Sequence, residues 1–260
     1  MSMPADTIRT LLLGDVYGDS GCRVIFYKLA SVVKKYKADR VVLNIENAYN
    51  GFGLSVENLN MFLGLGIDAM TSGNHIWQQN EILPYLDSEP KLLRPANYGN
   101  SVQGHGYVLV NGIGVVNVQG RLNMPATEDP FRWASECVRK LKAETKTVFV
   151  DIHAESAEEK EALGVFLDGE VTAVVGTHTH VQTADERILE KGTAYISDLG
   201  FCGPSDSIIG CDEETAFKRQ LTQMPIRARS AEGEAVICGV CVVSDIHSGK
   251  ALSIERFVFR

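Results

Sequence analysis

Short apolar runs alternate along this chain with longer segments in which apolar residues recur every three or four positions. "TIRTLLLGD" is compact and apolar and predicts a buried strand. "GCRVIFYKLASVVKKYK" then places Ile25, Leu29, Val32, Val33 and Tyr36 at helical spacing, with lysines on the other side, and predicts an amphipathic helix. "ADRVVLNIEN" predicts a second strand. "SVENLNMFLGLG" predicts a helix capped by Ser55 and ended by Gly66. "IDAMTSGNH" predicts a third strand. Strand–helix–strand alternation with connections of this length implies right-handed crossovers and a parallel sheet.

The pattern then changes. "GYVLVNGIGVVNVQG" has strand composition around a central Asn-Gly and predicts a hairpin. Alternation returns with "ASECVRKLKAE", "TKTVFVDIHA", "SAEEKEALGVFLDG" and "VTAVVGTH". Ser156-x-x-Glu159 carries a capping-box signature. "TAYISDLG" and "EAVICGVCVVSDIHSGKALSIERFVFR" are strand-rich, with "DIHSGK" as the turn of a second hairpin. No internal repeat, low-complexity tract or linker divides the chain. The order predicts one α/β domain over residues 1–260, with two mixed sheets packed together and helices outside.

Composition narrows the function classes. Acidic residues number 33 and basic residues 25, a net charge of −8. That argues against broad binding to a nucleic-acid backbone, which needs a basic stripe. It leaves room for a small anionic substrate if bound cations reverse the local field. No apolar run reaches the ~18–20 residues that cross a bilayer, and "MSMPADTIRT" lacks the pattern of a secretory signal. The expected setting is cytoplasmic, with the six cysteines as thiols. Cys238 and Cys241 form a C-x-x-C within a predicted strand, where positions i and i+3 face opposite sides, so two buried thiols are expected there.

The chemistry lies where the strands end. The first run ends in Asp15, the second in Glu46-Asn47, the third in Asn74-His75, "TVFVDIHAES" in Asp151 and His153, and "VTAVVGTHTHVQTAD" in His178 and His180. Open α/β sheets place ligands at the carboxyl ends of their strands. Each motif alone reads as well as a turn, a cap or a satisfied core histidine. Five together read as convergence. His178 and His180, two apart on an extended segment, are expected to share a face. His105 and His247 stand in turn-like contexts and read as surface. Carboxylates, side-chain amides and imidazoles without a suitably spaced thiolate fit two metal ions. Mixed N/O ligation suits Mn, Fe, Zn or Co better than Ca or Cu(I). A carboxylate shared between two cations ~3.5–4 Å apart is the arrangement that clamps phosphoryl oxygens, and Glu46 is the choice for it. A metal amidohydrolase would use similar ligands.

"GDVYGD", "NIENAYNGFG", "TSGNHIW", "DIHAESAEEK" and "GTHTHVQTAD" resemble the metal-binding blocks of the calcineurin-like metallophosphoesterases. The usual Asp-x-His opening reads Asp15-Val16-Tyr17 here, and Glu46 with Asn47 stands where that superfamily has Asp. These departures, with "SDLGFCGPSDSIIG", resemble the bacterial YmdB-type phosphodiesterases. The resemblance covers nearly the whole chain. It implies a four-layer α/β/β/α sandwich and two divalent or trivalent transition-metal ions, iron or manganese ahead of zinc. One ion would be held by Asp15, Glu46, Asn47 and His180. The other would be held by Glu46, Asn74, His153 and His178. His75 would stand beside them as proton donor. The implied reaction is hydroxide attack on a phosphodiester, with 2′,3′- or 3′,5′-cyclic nucleotides as substrates, and homo-oligomers are part of the same expectation. A nucleotide-binding regulatory module with little catalysis is the alternative, motivated by the missing opening histidine.

Four further expectations are local. Asp151 or a backbone carbonyl could orient a ligating imidazole, although Asp151 is rather expected to face the opposite side of its strand. Arg121, after another strand end, could hold a phosphate oxygen or pair with a surface carboxylate, and the pairing is the reading preferred. Phe52, Trp77 and Phe201 sit in loops after motif residues, where each could stack on a base or pack in the core, and none is taken as a site residue. The Gly203-Pro204-Ser205-Asp206 loop rims the pocket, again by resemblance.

Overall fold

The computed structural model describes residues 6–99 and 101–260. In chain order the first-half strands are β1 (Thr7–Leu13), β2 (Asp15–Val16), β3 (Arg40–Asn44), β4 (Ala69–Thr71), β5 (Tyr107–Val110) and β6 (Ile113–Gln119). The rest are β7 (Val148–His153), β8 (Ala173–Thr177), β9 (Arg187–Ile188), β10 (Ala194–Ile196), β11 (Phe201–Pro204), β12 (Ala235–Asp245) and β13 (Ala251–Phe259). The α-helices are α1 (Gly18–Tyr36), α2 (Val56–Gly64), α3 (Leu83–Ser88), α4 (Pro130–Leu141), α5 (Ala157–Phe166) and α6 (Glu213–Thr222).

Both sheets are mixed, as expected. In the first, β3 is parallel to β1 and to β4, and β12 runs antiparallel to β1, β11 and β13. In the second the order is β5-β6-β7-β8-β10-β9, with a parallel centre and an antiparallel strand at each edge.

Period-2 alternation builds the layers. Leu11 and Leu13 of β1 pack with Ile25 and Leu29 of α1 and Phe62 of α2, while Leu12 points the other way. Val116 and Val118 of β6 pack with Val138 and Leu141 of α4 and Leu163 of α5. Between the sheets, Leu12, Val42, Val240 and Val242 meet Val115, Phe149 and Val175. The result is an α/β/β/α sandwich with three apolar interlayers.

Local signals hold closely. Ser55 caps α2 by accepting from Asn58 N at 3.1 Å, and Gly66 adopts φ +77° just past its end. Asn111 and Gly112 turn the β5–β6 hairpin with φ of 47° and 83°, the left-handed pair that a type I′ turn requires. Helix α1 begins at Gly18 rather than at Gly21. All six cysteines are buried and free. The capping box is only half made. Ser156 Oγ accepts from Glu159 N at 3.2 Å, but the Glu159 carboxylate turns outward to accept from Arg121 N and Leu122 N. It thereby ties the loop after β6 to α5. Helix α6, capped by Asp212, has no counterpart in the hydrophobic pattern because only Thr215 and Ala216 are buried. No helix among the described residues is long and apolar enough to cross a membrane.

Candidate metal centre

The carboxyl ends of β1, β3 and β4 in one sheet and of β7 and β8 in the other open onto one cavity of about 430 Å³. Its inner wall is fully buried. Asp15 lies on β2, just after β1 breaks at Gly14, and its Oδ2 accepts from His178 N at 3.1 Å. Asp15 Oδ1 stands 3.8 Å from His153 Nδ1. Glu46, past the end of β3, has Oε1 3.0 Å from His153 Nε2 and Oε2 accepting from His75 N at 3.0 Å. Asn47 Nδ2 lies 3.0 Å from Glu46 Oε1 and 3.2 Å from His180 Nε2. Past β4, Asn74 Nδ2 lies 3.3 Å from His75 Nε2. His178 Nδ1 lies 3.0 Å from His153 Nε2. The eight residues singled out from the sequence thus stand together. Glu46, His153 and His178 each offer a ligand atom within 4.8 Å of the others.

Two imidazoles have their orientation fixed from behind. His180 Nδ1 is 2.8 Å from Ile209 O, so that nitrogen carries the proton and Nε2 keeps its lone pair toward Asn47. His153 Nδ1 is 3.0 Å from Thr177 Oγ1, whose hydroxyl donates to Asp151 Oδ1 at 2.8 Å. Asp151 also accepts from Thr71 and Asn44. It therefore does not face away from the site. Asp151 and His153 are two apart on β7 and share its inner face, and the aspartate acts on the imidazole through Thr177.

The reason expected for the pairing of His178 and His180 is also corrected. Strand β8 ends at Thr177, and the two histidines have φ of 101° and 63°. They reach the cavity through a tight left-handed turn, a conformation that disfavours ordinary side chains. Asp198, past the end of β10, holds that turn. Its Oδ2 accepts from Thr179 N at 3.1 Å, from Thr179 Oγ1 at 2.9 Å and from Lys160 Nζ at 2.8 Å. Lys160 and Asp198 are both buried. Sequence reading passes over this pair, although "YISD" repeats the habit of a polar residue at a strand end. Removing one partner of a buried ion pair strands the other charge, typically at about 3–5 kcal/mol. Lys160→Met should lower denaturation stability by that order, and a loss well under 1 kcal/mol would show the pair to be dispensable.

Other expectations sort as follows. Arg121 lies 3.9 Å from Asp129 and is half-exposed, as expected of a surface pair. Trp77 packs on Tyr98. Phe201 stacks on His180 at 5.6 Å, and Phe52 meets His75 edge-on at 4.9 Å, so neither is only a core residue. The cavity rim is not formed by residues 203–206. Gly203 and Pro204 belong to β11, and the rim comes instead from Ile209, Cys211, Arg219 and Ala228. Tyr17, at the position of the missing histidine, stands edge-on to His180 at 5.3 Å. Burial pushes its phenol up to about 12, so it is neutral. His105 and His247 are exposed.

The electrostatics are those of a polar nest without counter-cations. Burial pushes the Asp15 carboxyl up to about 6. Burial also disfavours the Glu46 carboxylate, but the His153 imidazole beside it wins and holds Glu46 well below the usual range. The reciprocal effect raises His153 to about 9 against its own burial. Burial, then the positive charge on His153, drives His178 down to about 3. Asp15 Oδ1, Asn74 Oδ1 and His75 Nδ1 are buried with no hydrogen-bond partner among the described residues. An unsatisfied buried polar atom costs about 1–3 kcal/mol. Two such oxygens beside imidazole nitrogens are the donor set that transition-metal cations satisfy.

Comparison with known proteins agrees. The family model described as YmdB-like protein matches residues 11–257. A protein of Bacillus subtilis (strain 168) named 2′,3′-cyclic-nucleotide 2′-phosphodiesterase is 44% identical over 255 residues, covering 96% of this chain and 97% of that one. The crystal structure of a novel phosphatase from Mycoplasma pneumoniae superposes with a TM-score of 0.90 at 34% identity, covering 98% of this chain and 94% of that one. That of a hypothetical protein from Thermus thermophilus gives 0.88 at 36%, covering 97% and 99%. With a family model matching residues 11–257 and relatives alike in sequence and fold over nearly the whole chain, the chain belongs to the YmdB-like family, hydrolases that act on phosphoric esters.

Proposed function

We propose that the chain is a two-metal phosphodiesterase acting on cyclic nucleotides. The observation that carries this is the convergence of Asp15, Glu46, Asn74 and three imidazoles, of which Glu46, His178 and His180 line an open cavity, with the Asp15 and Asn74 oxygens left without partners. Asp15, Glu46, Asn47 and His180 hold one ion, and Glu46, Asn74, His153 and His178 hold the other. Asn47, beside His180, takes the place of the histidine that Tyr17 replaces. Iron or manganese fits the mixed donors, with zinc next. Two cations bound here supply Lewis-acid stabilisation of phosphate oxygens and lower the pKa of water. The name of the Bacillus subtilis relative supports 2′,3′-cyclic nucleotides as the substrate class.

The chain's own residues do the rest. Glu46 fixes the His75 backbone through its second oxygen, so the ring stands at a set distance from the donor cluster. His75 protonates the departing oxygen. Burial lowers its pKa, and an anionic phosphodiester entering the cavity opposes that shift by favouring the imidazolium. Phe52 meets the His75 ring at near right angles, 4.9 Å between centroids, and limits how far it can turn.

The test is turnover of 2′,3′-cyclic AMP by metal-stripped protein reloaded with Mn²⁺, Fe²⁺ or Zn²⁺. Hydrolysis that returns with metal supports the reading, and none with any metal overturns it. Loading should also release protons. His153 carries one at pH 7 in the metal-free protein because its pKa is raised to about 9, and a metal ligand must give its proton up. Addition of metal to stripped, weakly buffered protein at pH 7 should acidify the solution, and the release from His153 should fade as pH rises through about 9.

A further inference from the structure

Beside the metal cavity lies a second, larger cavity of about 910 Å³, and Phe52 and Ala228 line both. Phe52 is thus the partition between them. It sits on a loop whose geometry is fixed by left-handed residues at Asn50, Gly51 and Gly53, with φ of 51°, 81° and 81°. Tyr49 N donates to Gly53 O and Gly53 N donates to Glu46 O, so the loop is tied directly to the metal-facing glutamate. A Cβ at Gly51 would overlap the Tyr17 ring, which locks the loop from the other side.

We propose that this second cavity receives the nucleobase of the substrate, stacked on Phe52 and closed over by the Arg227 guanidinium. This rests on the phosphodiesterase reading above, and it names the residues that select for a base. Arg227 lies 5.5 Å from the Phe52 centroid and has no carboxylate partner among the described residues. Its side chain is exposed, so a rotamer change admits a flat ring between the two. Tyr49 adds a second aromatic, 39% exposed, on the same loop. Asn50 and Gln78 present side-chain amides without hydrogen-bond partners among the described residues, able to donate and accept at a base edge. The charges that line this cavity are largely balanced. Asp19 and Glu232 line this cavity, and Arg229 is already near Asp212 and Glu214, at 3.9 and 3.7 Å. Glu232 is already paired with Arg23, so Asp19 and Arg227 leave little net charge for a ligand, and the aromatic face of Phe52 is what favours a flat ring.

Calorimetry on metal-loaded protein tests this, comparing adenosine 3′-monophosphate with ribose 3-phosphate. Stacking on an aromatic and a guanidinium should make the nucleotide bind about tenfold more tightly. Phe52→Leu and Arg227→Ala should each remove most of that gap, and Arg227 is exposed enough that its variant folds. Equal affinities for wild type, or a gap unchanged in both variants, overturn the subsite. Turnover separates the two proposals. Ribose 2′,3′-cyclic phosphate hydrolysed as well as 2′,3′-cyclic AMP, with equal affinities in calorimetry, removes the subsite and leaves the phosphodiesterase. Hydrolysis of neither removes the reaction, and the binding gap still decides the subsite.

Discussion

His75→Ala should lower turnover of 2′,3′-cyclic nucleotides by about 10²–10⁴-fold, the usual contribution of a positioned general acid. Metal content should stay near the wild-type level, because His75 touches Glu46 only through its backbone N–H, which the substitution keeps, and its ring meets the proposed ligands only through the amide nitrogen of Asn74. The deficit should depend on the leaving group. A ribose alkoxide needs a proton as it departs, whereas p-nitrophenolate leaves well without one. With bis-p-nitrophenyl phosphate most of the deficit should therefore disappear. A loss equal for both substrates would place His75 in phosphate binding instead, and a loss of metal would make it a ligand.

Gly73→Ala should empty the site. A Cβ at this position overlaps both the His153 ring and the Glu46 carboxylate. Neither can swing aside, since each is fully buried and held by partners on its far side. Overpacking typically costs about 1–3 kcal/mol in stability, and displaced ligands cost metal affinity by at least the roughly 10–100-fold seen when only their supports are removed. Metal stoichiometry and turnover should fall together. Gly64→Ala is the matched control, because a Cβ at Gly64 meets nothing within 4 Å. Full metal occupancy in Gly73→Ala, measured by elemental analysis, would mean that the glycine is there for some other reason.

The parts of this molecule that were legible in its sequence share a physical cause. The last residues of β1 and β3 and all of β7 and β8 are buried on both faces, so each strand reads as a short apolar run that ends in polar residues. That ending exposed Asp15, Glu46, His153 and His178. The residues that escaped notice act through backbone or at a distance. The turn at His178 and His180 is left-handed without a glycine to announce it. Asp198 and Lys160 come from different elements and meet only in the fold. The stretch from 205 to 234 has almost no apolar periodicity, yet Ile209 O sets the tautomer of His180 and Arg219 lines the rim. For Phe52 base stacking and core packing stood as open alternatives, because partitioning two cavities is a property of the assembled surface.

The donor atoms come from both sheets, and Asp15 and His178 stand 163 residues apart in the chain. Cations seated among them, as proposed, would clasp the two halves of the sandwich at a single point. Saturating metal should then raise the melting temperature of the whole chain in one transition, and chelation should render both layers more susceptible to protease together. A fragment carrying either sheet alone has only part of the coordination shell and is blind to the ion.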